Sequence, residues 1–308
     1  MTTLLLTHAD CLAHEVPPGH PERPDRLRAV LGALEGDDFA ALVREEAPLG
    51  TLDHARLAHD PRHVAHIRDS APKSDFAGLD PDTVMSPKSL DAALRAIGAV
   101  IRAVDQVVAG KADNAFCAVR PPGHHAERGR AMGFCLFNNI AIGALHARRA
   151  HGLARVAVVD FDVHHGNGTQ DIFREDETLF YGSTHQMPLY PGTGAAAERG
   201  VGNIFNAPLA PGAGSLQFRE AMERVILPAL DAFAPELVMV SAGFDAHMRD
   251  PLANLALSED DYAWASERLL EAARAHAGGR LVSALEGGYD LEALKGSARA
   301  HVGALLAA

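Results

Sequence analysis

Arg155-Val-Ala-Val-Val-Asp160-Phe-Asp162-Val-His164-His165-Gly-Asn167-Gly168 opens as an apolar run and closes as a cluster of acids, imidazoles and glycines. Residues 156–159 have the pattern of a strand buried on both faces, as strands of parallel sheets do. If the extended backbone continues beyond them, side chains alternate between faces. Asp160, Asp162 and His164 then project one way, and Phe161 and Val163 the other. Charge at the end of a buried strand is costly unless it is paired or bound to a metal. Asp162 and His164 are therefore the first two candidate metal ligands.

The rest of the chain supplies similar strands at helical intervals. Short apolar runs are expected to form strands at Thr3–Leu6, Phe116–Val119, Val156–Asp162, Thr178–Gly182, Leu237–Ser241 and Leu281–Leu285. Helices are expected from Pro24, across 53–69, and from Ser86-Pro87 to Ala109. Others follow at Asn138–Ala150, Thr169–Phe173, Ser215–Ala234, Ser258–Ala277 (with Ser258 and Asp261 as a cap pair) and Leu291–Leu306. Alternating strands and helices imply a mainly parallel sheet covered on both faces, and no linker divides it. Residues 1–308 are thus read as one α/β domain. His59, His63 and His66 fall at helical spacing, which suits a polar helix face better than a metal face.

Bulk properties narrow the function. The net charge of −12 argues against a nucleic-acid surface, and no apolar run is long enough to span a bilayer. The 3 cysteines, Cys11, Cys117 and Cys135, form no CxxC pair, which fits a reducing, cytoplasmic setting and excludes a disulfide scaffold. The first residues, Met1 to His8, lack the features of a signal peptide.

Ligands of parallel sheets bind beyond the carboxyl ends of the strands. Four apolar strands here end in reactive residues: Arg120-Pro-Pro-Gly-His124-His125; Asp160, Asp162 and His164; Ala242-Gly-Phe-Asp245; and Glu286-Gly-Gly-Tyr289. Asp162, His164 and Asp245 form a thiolate-free donor set with a position left open, the layout of a catalytic metal site. Zinc is the default ion, and Fe(II) is compatible with the same set. A metal-activated water needs a base, which His124-His125 supply. An oxyanion needs a second donor, which Tyr289 on its glycine pair supplies.

These motifs, with Tyr-Pro-Gly-Thr-Gly and Ser-Ala-Gly-Phe-Asp, resemble the zinc-dependent histone deacetylase superfamily, especially its class II-like bacterial members, which include acetylpolyamine amidohydrolases and acetoin-utilisation proteins. The resemblance runs from His20-Pro-Glu-Arg-Pro to Glu286-Gly-Gly-Tyr-Asp. It implies an arginase-like three-layer fold, with Asp162, His164 and Asp245 as metal ligands. It makes His125 the general base, His124 its electrostatic partner and Tyr289 the carbonyl-polarising phenol. Asp160 would orient His124, and Asn167 would orient His125 where class I members carry aspartate.

The same resemblance places Gly133, Phe134 and Tyr190 on the walls of an acyl tunnel, and Arg23 at an internal product channel. By residue type alone, Arg23 suits a surface salt bridge. Potassium would be held by Asp160, Asp162, His164, Ser183 and Thr184, and a second ion near Phe173, Asp176, Leu179 and Asn203. Leu252 falls where polyamine-selective relatives carry a gatekeeping glutamate. That favours acetyl-lysine or similar acylated amines, although Asp75, Asp80 and Asp82 could attract a cation. Members range from monomers to tetramers, so a homo-oligomer is compatible.

A two-manganese ureohydrolase would need an aspartate where Gly166 stands. A dinucleotide binder would need a third glycine. A non-catalytic scaffold would be expected to have lost one of the residues named above.

Overall fold

A computed structural model describes residues 2–308. The strands are β1 (Thr3–Thr7), β2 (Val43–Glu46), β3 (Ala77–Gly78), β4 (Val84–Met85), β5 (Asn114–Cys117), β6 (Val156–Asp160), β7 (Leu179–Gln186), β8 (Ile204–Leu209), β9 (Leu237–Ala242) and β10 (Leu281–Leu285). Eight of them form one sheet in the order β2-β1-β5-β10-β9-β6-β7-β8, and every neighbouring pair is parallel. β3 and β4 make a separate small hairpin.

The helices are α1 (Pro24–Ala33), α2 (Leu52–Ala55), α3 (Pro61–Ser70), α4 (Ser89–Val108), α5 (Asn139–His151) and α6 (Asn167–Phe173). They continue with α7 (Ser215–Ala221), which passes through a π-helical turn into α8 (Leu227–Phe233), then α9 (Glu259–His276) and α10 (Leu291–Ala307). α4 and α5 pack together as one layer, while α1, α10, α9 and α8 pack in succession as the other. This is the three-layer α/β arrangement that the alternating pattern predicts.

Every residue of β5, β6, β9 and β10 is buried, because each strand lies inside the sheet with helices above and below. Apolar runs expose such strands in the sequence. The hairpin strands β3 and β4 were not expected, and the two unexpected strands of the large sheet, β2 and β8, are its edges. β2 is largely exposed and carries Arg44, Glu45 and Glu46, while β8 contains Pro208; edge strands tolerate both charge and proline.

Two element ends differ from expectation in ways that bear on the site. α4 begins at Ser89 with Lys88 at its N-cap and no capping side chain. Ser86 does not cap it, and its hydroxyl lies 3.0 Å from that of Ser89. β6 stops at Asp160, so strand alternation does not deliver Asp162 and His164. They stand on an irregular turn, held by side-chain-to-backbone bonds. His59 and His63 are buried, so they do not make the polar face expected of 53–69. His59 Nε2 accepts from Asn138 N at 2.8 Å, its Nδ1 lies 2.9 Å from Glu127 O, and His63 Nε2 lies 2.9 Å from Leu136 O.

Candidate active site

Strand register brings the reactive ends together. Ala284 pairs with Cys117, Leu285 with Ala242 and Asp160 with Ser241, so β5, β10, β9 and β6 finish level along one edge. Asp162, His164 and Asp245 converge there, all buried, each offering a ligand atom within 4.8 Å of the others. His164 Nδ1 lies 3.1 Å from Asp162 Oδ1 and 3.0 Å from Asp245 Oδ2.

Backbone amides hold the other carboxylate lone pairs. Gly287 N donates to Asp162 Oδ2 at 2.8 Å, Val163 N to Asp245 Oδ1 at 2.8 Å, and Asp162 N to Asp160 Oδ1 at 3.1 Å. The chain passes so close that a Cβ on Gly287 would fall 2.0 Å from Asp245 Oδ2. Only glycine permits that approach.

The electrostatics of this cluster fit a cation. Burial alone would lower the His164 imidazole, but Asp162 and Asp245 reverse that and raise its pKa to about 10. Two buried carboxylates around one imidazole demand positive charge, and the nitrogen and oxygen donors suit a divalent transition metal. Asp162, His164 and Asp245 therefore fit the group expected of them.

Two histidines flank the cluster with different partners. His124 Nδ1 lies 2.9 Å from Asp160 Oδ2, which also accepts from the Tyr181 hydroxyl at 3.0 Å. Burial opposes charge on His124, yet the surrounding Asp162, Asp160 and Glu286 outweigh it and raise its pKa well above the usual imidazole value. His125 Nδ1 lies 2.8 Å from Asn167 Oδ1. Asn167 Nδ2 donates to Glu127 Oε1 at 2.7 Å, which fixes the amide with its oxygen toward the histidine. Nδ1 must then carry the proton, leaving the Nε2 lone pair free. Burial and the neighbouring His124 and His164 hold the His125 pKa well below its usual value.

A cavity of about 220 Å³ opens from this edge, lined by His125, His164, Tyr289, Gly133, Phe134, Leu189, Tyr190, Leu252 and Asp82. Gly133 has φ +58°, and a Cβ there would meet His125 Cδ2 at 2.4 Å. Phe134 follows with φ +67°, a left-handed conformation rare outside glycine that delivers the ring to the wall. Burial raises the Tyr289 phenol well above its ordinary pKa, so it stays a neutral donor. A larger hollow of about 630 Å³ is lined by other elements, including Phe39 and Arg299.

Residues 20–305 match the histone deacetylase domain family. The chain belongs to that family. It is 38% identical to Histone deacetylase 14, chloroplastic, of Arabidopsis thaliana, covering 93% of this chain and 73% of that protein. It is 40% identical to the histone deacetylase-like amidohydrolase of Pseudomonas aeruginosa, covering 88% of this chain and 73% of that one. The crystal structure of the HDA15 HD domain superposes with a TM-score of 0.94 at 36% identity, covering 99% of this chain and 88% of that one. The chain is a hydrolase of the histone deacetylase family with an arginase/deacetylase-like fold.

Within this family member, Arg23 is not the arginine at the site. It caps α1 in extended conformation, half exposed, 3.6 Å from Asp25. Pro24 occupies the first helical position, and the buried guanidinium of this segment is that of Arg26. Arg26 Nε donates to Gly288 O at 2.6 Å, and its guanidinium lies 4.8 Å from the centre of the Tyr289 ring.

Three other supporting groups escaped the sequence reading. Glu286 Oε2 accepts from Gly123 N at 2.6 Å and His124 N at 3.1 Å, fixing the turn that carries both histidines. Asp250 Oδ2 accepts from Tyr289 N at 2.7 Å and Oδ1 from Leu252 N at 3.0 Å, tying two cavity residues together. Glu22 anchors Arg26 and Arg120. Glu286 and Glu22 lie inside motifs legible in the sequence, although no role was assigned to either, whereas Asp250 carried no local signal.

Residues expected near potassium fall into two groups. Thr184 Oγ1 is buried without a hydrogen-bond partner, beside Ser183 on β7. Near Phe173, Asp176 and Leu179, the three carbonyls accept from Asn203 Nδ2 at 2.9, 3.0 and 2.7 Å. Asn203, itself among the residues expected there, brings one amide nitrogen with two hydrogens to share among these three carbonyls. Among the described residues, no helix is long and apolar enough to cross a membrane.

Proposed function

We propose that this chain is a metal-dependent deacylase that hydrolyses acetyl or related acyl groups from acetyl-lysine side chains or similar amines. The observation that carries the proposal is one narrow cavity with a donor triad, a histidine bearing a free Nε2 and a neutral phenol at its base. Asp162, His164 and Asp245 would hold the ion, zinc by family resemblance with Fe(II) compatible. When bound, the ion supplies a Lewis acid that polarises an amide carbonyl and acidifies water.

The protein's own groups carry the proton chemistry. His125 Nε2 is oriented to take a proton from water, because Asn167 and Glu127 fix the opposite nitrogen as a donor. His124, held by Asp160, places positive charge beside the developing oxyanion. Tyr289 donates its phenolic proton as a hydrogen bond to that oxygen, and its position rests on Arg26 and Asp250. Phe134 and Tyr190 both line the cavity and would take a linear aliphatic stem between them. Thr184, with Asp160, Asp162, His164 and Ser183, would hold potassium.

Leu252 presents an apolar surface where a polyamine-selective enzyme would carry an acid. Asp82 is the carboxylate on this cavity, but its Oδ1 already accepts from Thr83 Oγ1 at 2.9 Å and Gly133 N at 3.1 Å. An acetyl-lysine peptide is therefore the preferred substrate over N-acetylputrescine.

The test is amide hydrolysis by zinc-loaded protein on both substrates, for wild type, Tyr289→Phe and His125→Ala. Each substitution is expected to cost at least about a hundredfold in kcat. Absence of turnover across a panel of acylated lysines and polyamines would defeat the enzymatic reading. A preference for N-acetylputrescine would overturn only the substrate assignment.

A further inference from the structure

A second convergence of metal-binding side chains lies outside the cleft, between α4 and α5. Asp105 on α4, and His146 and His151 on α5, each offer a ligand atom within 4.8 Å of the others. His146 Nε2 is 2.8 Å and His151 Nε2 is 2.7 Å from the same atom, Asp105 Oδ1. The imidazole centroids are 5.5 Å apart. His54 on α2 stands close, its ring centroid 6.2 Å from that of His146. Its Nδ1 accepts from Thr51 N at 3.3 Å, which leaves Nε2 as the other nitrogen of the ring.

We infer that Asp105, His146 and His151 form a second divalent transition-metal site, which clips the end of α5 to α4. One carboxylate oxygen faces two imidazole nitrogens, and hydrogen bonding there requires both rings to hold their proton on Nε2. A single divalent ion satisfies the three donors at once. Two imidazoles and a carboxylate suit zinc, nickel or copper rather than magnesium or calcium.

Access is open: side-chain exposure is 14% for His146, 25% for His151 and 39% for Asp105, so an ion can enter and water can complete its coordination. The alternative is a pair of ordinary Asp–His contacts with no affinity for metal. This inference does not rest on the deacylase reading, because none of these residues lines the cleft.

The test uses untagged full-length protein equilibrated by dialysis at a fixed free Zn²⁺ concentration, with bound zinc counted by mass spectrometry. Wild type is compared with His146→Ala/His151→Ala and with His151→Gln, which can still donate to Asp105 but lacks the imidazole. Both variants are expected to bind one zinc fewer per chain than wild type while keeping the amide-hydrolysis activity of the zinc-loaded protein, and His151→Gln is expected to keep the wild-type melting profile measured without added metal. Equal stoichiometry in wild type and His151→Gln would overturn the site. Failure of the cleft to hold zinc lowers wild type and variants alike, so the difference between them still reads this site alone.

Discussion

Glu22 is fully buried against two guanidinium groups. Its Oε1 accepts from Arg26 Nη1 at 2.9 Å, and its Oε2 from Arg120 Nη2 at 2.7 Å. Arg120 also donates through Nη1 to the carbonyl of Cys11 at 3.0 Å, so one carboxylate joins the N-terminal loop, α1 and the histidine turn. Burial alone would raise the Glu22 pKa, but Arg120 and Arg26 hold it far below the ordinary glutamate value of 4.5. With the folded-state value depressed, this contribution to stability is complete above the unfolded pKa and is lost as pH falls toward the folded one. Glu22→Gln strands two buried charges. Urea unfolding at pH 7 should show a loss of about 3–5 kcal/mol, as for other broken buried ion pairs. The variant should also lose less further stability than wild type as the pH drops below 4.5; an unchanged acid limb would contradict this account. The charge network was not legible in the sequence, because a buried and a surface arginine are written with the same letter. Arg23 precedes α1 in extended conformation and stays half exposed, while Arg26 lies within its first turn and is buried.

Helix ends and strand ends decide more than helix and strand interiors do. α9 begins at Glu259 with the capping pair that Ser258 and Asp261 predict, Ser258 N donating to Asp261 Oδ2 at 3.1 Å. Asp261 is also buried, and it accepts from Ser215 Oγ and from Arg219 Nε at 2.9 Å, so the cap doubles as the joint between α9 and α7. Asp261→Ala removes the cap and strands those donors. We expect about 2–3 kcal/mol less stability, read as a lower urea midpoint, with kcat/KM unchanged in the folded protein. A matching fall in kcat/KM would mean that this joint also shapes the cleft. This cap was readable because it is local, confined to four consecutive residues, whereas the cap expected of Ser86 on α4 does not form. The end of β6 was not: Asp162 was assigned to the cluster on strand alternation, but the chain turns after Asp160. The side chain arrives there because Gly287, more than a hundred residues away in sequence, donates to it.

Across the whole molecule, the parallel sheet turns separate motifs into one pocket, and that pocket concentrates buried negative charge. An ion bound only by the folded state stabilises it by mass action. Treatment with a chelator should therefore abolish amide hydrolysis and lower the Tm, and Zn²⁺ should restore both. Asp245→Ala should recover neither activity nor the activity-linked rise in Tm; recovery would remove Asp245 from the ligand set. The sequence by itself determined the interior strands, the α/β alternation and the chemical character of the four strand ends. Each of those is written in residues adjacent along the chain, as apolar runs, caps and short motifs. The edge strands β2 and β8, the inward turn of Arg26, the Glu22 and Asp250 anchors, and the Asp105–His146–His151 cluster were decided only by tertiary structure. Their residues acquire meaning from burial and from partners distant in sequence, and neither quantity exists until the chain has folded.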